Sequence, residues 1–180
     1  PVTSSPGATY YGLLASVMAG GQLTDENIND ILPKLKEFYK KSGYMNNTPA
    51  DLFQLYLKTG MGAKSMIVDY EKSIIDFANS DPDGYNQVKD RIRILYPVPT
   101  IWNSHCMATL TDSGNTYYDV FEDSDVQQLA WSKYGFRTGV TGGNYDVSKV
   151  NVTGIPQSIA STVSSLKMEY YNKMIEYLGN

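Results

Sequence analysis

The chain has one cysteine and one histidine among its 180 residues, and no apolar stretch approaches the roughly 20 residues that a membrane-crossing helix needs. A lone Cys106 allows neither an intrachain disulfide nor a thiolate metal cluster, which removes disulfide scaffolds and zinc ribbons together. With His105 as the single histidine, two-histidine metal sites are excluded, and no G-x-S-x-G elbow is present for a serine hydrolase. Positive charge is also scarce. The chain has 15 Lys+Arg against 19 Asp+Glu, a net charge of −4. Its densest basic run is Lys34, Lys36, Lys40 and Lys41. A nucleic-acid partner needs a basic face for its phosphates, so none is expected.

What remains is a chain rich enough in apolar residues to fold. It is 42% hydrophobic with a mean hydropathy of −0.33, which suits one domain or two small lobes. Its 15 tyrosines are core and surface filler by default, though tyrosine also lines polar ligand clefts. The Cys-Met-Ala-Thr-Leu setting reads Cys106 as a small buried hydrophobe. A start at Pro1, without an initiator methionine, leads us to expect a processed chain or a piece of a longer one.

Periodicity sets out the first half as helices. Ser5-Pro6 opens an apolar stripe through Tyr10, Leu13, Leu14, Val17 and Met18 that stops at Gly20-Gly21. A second helix is expected from near Thr24, with Ile28, Ile31, Leu32, Leu35, Phe38 and Tyr39 on one face; Pro33 either kinks it or marks its beginning. Thr48-Pro49-Ala50-Asp51 has the form of a capping box opening a third, which runs to Gly60. Residues 65–69 and 91–96 then read as strands flanking a helix over 72–79, a pattern that implies a parallel pair with a crossover. A turn is expected at Ser80-Asp81-Pro82-Asp83-Gly84. Pro97-Val98-Pro99 forms a stiff connector at the best internal boundary, with residues 106–110 as another strand. A helix over 125–134 stopped by Gly135, a loop over 138–154 and a long helix over 155–178 complete the expectation.

Few residues suggest chemistry. Ser104 and His105 are adjacent, and neighbours on an extended chain point to opposite faces, which defeats a nucleophile–base pair. Gly60-x-Gly62-Ala63-Lys64-Ser65 lacks the Gly-Lys-Ser/Thr ending of a phosphate loop and precedes a strand where such a loop precedes a helix. Thr3-Ser4-Ser5 sets hydroxyls and free N–H groups at the positive end of a helix, which is either an oxyanion site or an ordinary helix start. Tyr70-Glu71 lies just past an expected strand, where open α/β sheets place ligand groups, or else Tyr70 only packs at a helix start. Tyr96 and Thr100 flank the proline connector and would sit in a hinge between lobes.

Four segments, taken in order, resemble a known family. They are Thr3-Ser4-Ser5-Pro6-Gly7, Met66-Ile67-Val68-Asp69-Tyr70-Glu71, Arg93 to Thr100 leading to Ser104-His105, and Asp125-Val126-Gln127-Gln128 followed by Tyr134-Gly135-Phe136-Arg137. Together they are similar to the type II extracytoplasmic solute-binding proteins of ABC transporters, a group that includes molybdate- and tungstate-type oxyanion binders. The resemblance implies an α/β fold, a periplasmic-binding-protein-like type II lobe with a mixed or parallel sheet flanked by helices, lacking the N-terminal part of the first lobe. Residues 1–97 would be the second, ligand-binding lobe, and 98–180 the hinge return with the C-terminal helical segment of the first. The implied function is binding of a small polar or anionic solute between lobes, without catalysis or cofactor, with a membrane ABC permease as partner. The setting would be the periplasm or cell surface, with or without a lipid anchor. Ligand groups would be Thr3, Ser4, Ser5, Tyr70, Glu71, Tyr96 and Thr100, with Glu71 either orienting Tyr70 or meeting a cationic ligand. The alternatives are a binding or adhesion module of a surface protein with the same fold and, last, a hydrolase.

Overall fold

The computed structural model describes residues 5–42, 49–59, 65–139 and 145–179. The described residues form eight α-helices and one small parallel sheet of two strands, an α-rich arrangement within a broadly mixed α/β class. No helix among them is long and apolar enough to cross a membrane. The chain divides into two compact units: residues 1–69, 96–103 and 159–180 form the first, and residues 70–95 and 104–158 the second.

The first unit is built on helices whose apolar faces match the periodicity. α1 (Ser5–Met18) ends where Gly20 takes a left-handed φ of 72°, its N–H donating to Val17 O. α2 (Ile28–Lys41) is preceded by a reciprocal cap, in which Thr24 N donates to Asn27 Oδ1 and Asn27 N to Thr24 Oγ1. Pro33 falls inside α2 on its exposed side, so the helix begins ahead of it and its buried face of Ile28, Ile31, Leu32 and Leu35 continues past it. α3 (Pro49–Thr59) starts at its proline; Thr48 and Gly60, the expected cap and stop, lie outside the described residues. α8 (Met168–Gly179) adds Tyr170, Met174 and Leu178 to a core shared with Tyr11, Ala15, Leu23 and the α2 face. The sheet pairs β1 (Thr100–Ile101) with β2 (Thr162–Val163), Thr100 opposite Thr162. The Val98–Pro99 peptide before β1 is cis.

The second unit gathers α4 (Glu71–Ser80), α5 (Pro82–Val88), α6 (Asp112–Glu122) and α7 (Ser124–Tyr134), with a 3-10 turn at Val147–Lys149. Ile74, Ile75, Tyr85, Trp131, Val152 and Ile155 are buried within it. α7 starts on Asp123, whose carboxylate accepts from the N–H groups of Asp125 and Val126. It stops at Gly135, φ 74°, where a Cβ would lie 2.8 Å from Lys72 Cα.

Several expectations are corrected. Residues 65–69, 91–96 and 106–110 form no strand, so the expected parallel pair with a crossover between them is absent; Met66, Val68 and Leu95 are exposed, with no layer among the described residues to bury a sheet there. The expected turn at Ser80–Gly84 is the start of α5, because Asp81 accepts from Gly84 N at 2.9 Å and Pro82 suits the first helical position. The long helix over 155–178 is helical only from Met168, since the serine- and threonine-rich stretch before it favours extended and turn backbone. Cys106 is exposed, because the strand that would have buried it does not form.

Candidate ligand-binding site

The polar centre of the second unit is Arg137. Its Nε and Nη2 donate to the two oxygens of Glu71, each at 2.7 Å, and Nη2 also donates to Pro156 O at 2.7 Å. Nη1 reaches Gln157 O at 3.3 Å. The guanidinium carbon lies 4.5 Å from the Tyr145 ring centre and 5.1 Å from that of Trp131, in cation–π range. Trp131 is held in turn by Nε1 donating to Asp146 O at 2.9 Å. The Arg137 side chain is 5% exposed and Glu71 17%. Burial works against the guanidinium charge, but the hydrogen bonds and charge of Glu71 outweigh it and raise the pKa of Arg137. Arginine fits here because only a planar fork satisfies a carboxylate, carbonyls and ring faces together.

A cleft of about 390 Å³ opens in the same unit, where the end of α5 and the segment after it meet Thr153 and Gly154. Its buried wall is Tyr85, 4% exposed, whose ring packs edge-on against Phe77. The Tyr85 hydroxyl accepts from Thr153 N at 3.3 Å, and its own proton has no acceptor among the described residues. Lys89 and Arg93 line the cleft from the exposed side, against one carboxylate, Asp90. Arg93 Nη1 is tied to Ile92 O at 2.7 Å and Asp90 O at 3.2 Å, which fixes the head while leaving donors over. Ile92 and Ile94, half-buried, supply an apolar side. Gly154 has φ 95°, a backbone conformation that glycine adopts without strain. The cleft is therefore suited to a small anion carrying an apolar part, with two cations and a buried hydroxyl for its oxygens.

The residues singled out from sequence fall in several places. Thr3 and Ser4 lie outside the described residues, as does most of the Gly60–Ser65 segment. Ser5 is the exposed first residue of α1. Tyr96 and Thr100 are half-buried in the first unit, Thr100 N donating to Ser161 O at 3.0 Å. Tyr70 and Glu71 belong to the second unit: Tyr70 is the residue before α4, its carbonyl accepting from Ser73 N, and Glu71 is engaged by Arg137. His105 stacks edge-on against Phe136 at 5.2 Å. Among the described residues no group of three or more His, Cys, Asp or Glu side chains could hold a metal ion. Sequence reasoning does not pick out Lys89, Arg93 and Thr153 as site residues; the only local signal is the spacing Lys89-x-Arg91-x-Arg93. Comparison with protein-family models, with curated proteins and with solved structures gave no match to this chain.

Proposed function

We propose that the chain is a non-catalytic binding module for a small polar or anionic solute, acting as the extracytoplasmic solute-binding component of an ABC transporter with a membrane permease as partner. The transport setting is supported by the ordered sequence resemblance. The observation that carries the ligand class is the cleft of the second unit, which Lys89 and Arg93 line together with the buried Tyr85, whose hydroxyl proton has no acceptor among the described residues. Charge-assisted hydrogen bonds from two cations favour an anion over a neutral solute, and Ile92 and Ile94 favour one with an apolar portion. The periplasmic-binding-protein-like fold remains part of this proposal.

A thermal-shift screen of phosphate, molybdate, sulfate, aliphatic and aromatic carboxylates, sugars and amino acids tests it. Anions should raise the melting temperature, and Lys89→Gln with Arg93→Gln should abolish the rise. Equal stabilisation by neutral sugars, untouched by that double variant, would contradict the anionic reading. If Ser4→Ala with Ser5→Ala removed binding instead, the site would be the helix start named by the sequence resemblance.

A further inference from the structure

α6 is an amphipathic helix with its apolar stripe turned to solvent. Gly114, Tyr117, Tyr118 and Phe121 recur at the i, i+3, i+4, i+7 spacing of one helical face. That is the pattern by which helices pack, yet α6 buries no residue: Tyr117 is 64% exposed, Tyr118 46% and Phe121 55%. An isolated helix of this length is marginal in water, because nucleation is costly and helical stability comes mainly from packing of such a face. Thr111 caps its start, accepting from Gly114 N at 3.3 Å, but caps alone do not explain an outward aromatic stripe.

The charge around the stripe selects the partner. From Cys106 to Ser132 the chain has five carboxylates and no Lys, Arg or His, more negative charge than the whole molecule nets. Three of these, Asp119, Glu122 and Asp123, lie at the C-terminal end of α6, and the Tyr118 hydroxyl is hydrogen-bonded to Glu122. An anionic membrane surface would be repelled by this field, and so would an identical face of a second copy. A cationic segment with its own apolar stripe is complementary on both counts: its apolar residues cover Tyr117 and Phe121 while its Lys or Arg side chains meet the carboxylates.

We infer that the aromatic, acidic face of α6 is a docking surface for a cationic amphipathic helix of another protein. The contact is a helix-on-helix one, with Tyr117 and Phe121 as its anchors and the carboxylates setting orientation and encounter rate. It is separate from the cleft of the second unit and does not depend on its ligand.

The probe is a synthetic amphipathic helix of about 18 residues, five turns, with Leu on one face and Lys on the other, titrated into the full chain and followed by fluorescence anisotropy. The Leu/Lys peptide should bind, Tyr117→Ser with Phe121→Ser should weaken it at least tenfold, and Asp119→Asn with Glu122→Gln should flatten its salt dependence. Since α6 buries no side chain, both double variants should keep the wild-type circular dichroism and tryptophan emission. Equal binding of a Leu/Glu peptide would overturn the inference, as would wild-type affinity in the Tyr117/Phe121 variant. So would a concentration-dependent dimer that Phe121→Ser dissolves, or binding to phosphatidylglycerol vesicles through the same residues.

Discussion

Arg137 and Glu71, 66 positions apart, meet in a two-point fork, with Nε and Nη2 each 2.7 Å from a different carboxylate oxygen. The pair joins the first turn of α4 to the segment that follows α7, beside the buried Trp131. Charges this far from water are tolerated because every face of the guanidinium is occupied: a carboxylate in its plane, backbone carbonyls beside it and aromatic rings across it. Its contribution is positional. It sets the α4 end of the unit whose next helix, α5, leads into the cleft.

Breaking that fork should be costly. Arg137→Met or Glu71→Gln alone leaves a buried group uncompensated, and each should lower unfolding free energy by about 3–5 kcal/mol. Arg137→Lys should not rescue, since a point charge cannot fork. The double variant Glu71→Leu with Arg137→Met should lose much less than the sum of the singles. Urea titrations of the set measure it, and additive losses would mean that the two side chains do not act as a pair.

Gly135 closes α7 in a left-handed conformation against the backbone of Lys72. Gly135→Ala therefore meets both backbone strain and a close approach that cannot relax by side-chain rotation, and should cost about 2 kcal/mol. Gly139 is the control, because its φ is not positive and a methyl group added there would have nothing within 4 Å among the described residues. Gly139→Ala should stay within about 0.5 kcal/mol of the parent in the same urea titration. A Gly135→Ala variant as stable as Gly139→Ala would refute this reading of the helix end.

Alkaline stability should report the core of the first unit. Burial raises the pKa of Tyr11; the hydrogen bond to Ser42 opposes the rise, and Tyr10 and Tyr39 add to it. Burial raises that of Tyr10 in the same direction. The folded state thus keeps protons that the unfolded chain releases once pH passes the ordinary tyrosine value near 10. Below that value neither group makes stability depend on pH; above it, stability falls as pH rises. Tyr11→Phe should reduce the slope of unfolding free energy against pH between about 10 and 12. An unchanged slope would show that Tyr11 ionises as readily folded as unfolded.

Helices with strong local signals are legible in the sequence: α1 from Ser5-Pro6 and its glycine stop, α2 from its apolar face, α4, and α7 from Gly135. The strands are not, because apolar runs such as 65–69 and 91–96 carry propensity without specifying a partner, and pairing is decided by distant chain. The two residues that pair as β1 do so with Thr162–Val163, inside a segment whose Ile159, Val163 and Leu166 mimic a helical face. α5 hides behind turn residues that also cap helices. In the site, Glu71 stands out locally, but nothing near it announces Arg137. The cleft residues Lys89 and Arg93 escape notice because a surface cation acquires meaning only from the buried Tyr85 and the Thr153–Gly154 backbone brought beside it.

Binding of a small anion by the second unit, through Lys89, Arg93 and Tyr85, is tested most directly by amide chemical-shift mapping during titration with an aromatic carboxylate and with phosphate. Saturable shifts are expected at Thr153, Gly154 and the 89–94 segment, and none in Lys89→Gln with Arg93→Gln. Shifts confined to the region of Ser5, Tyr96 and Thr100, or identical shifts in that double variant, would contradict it.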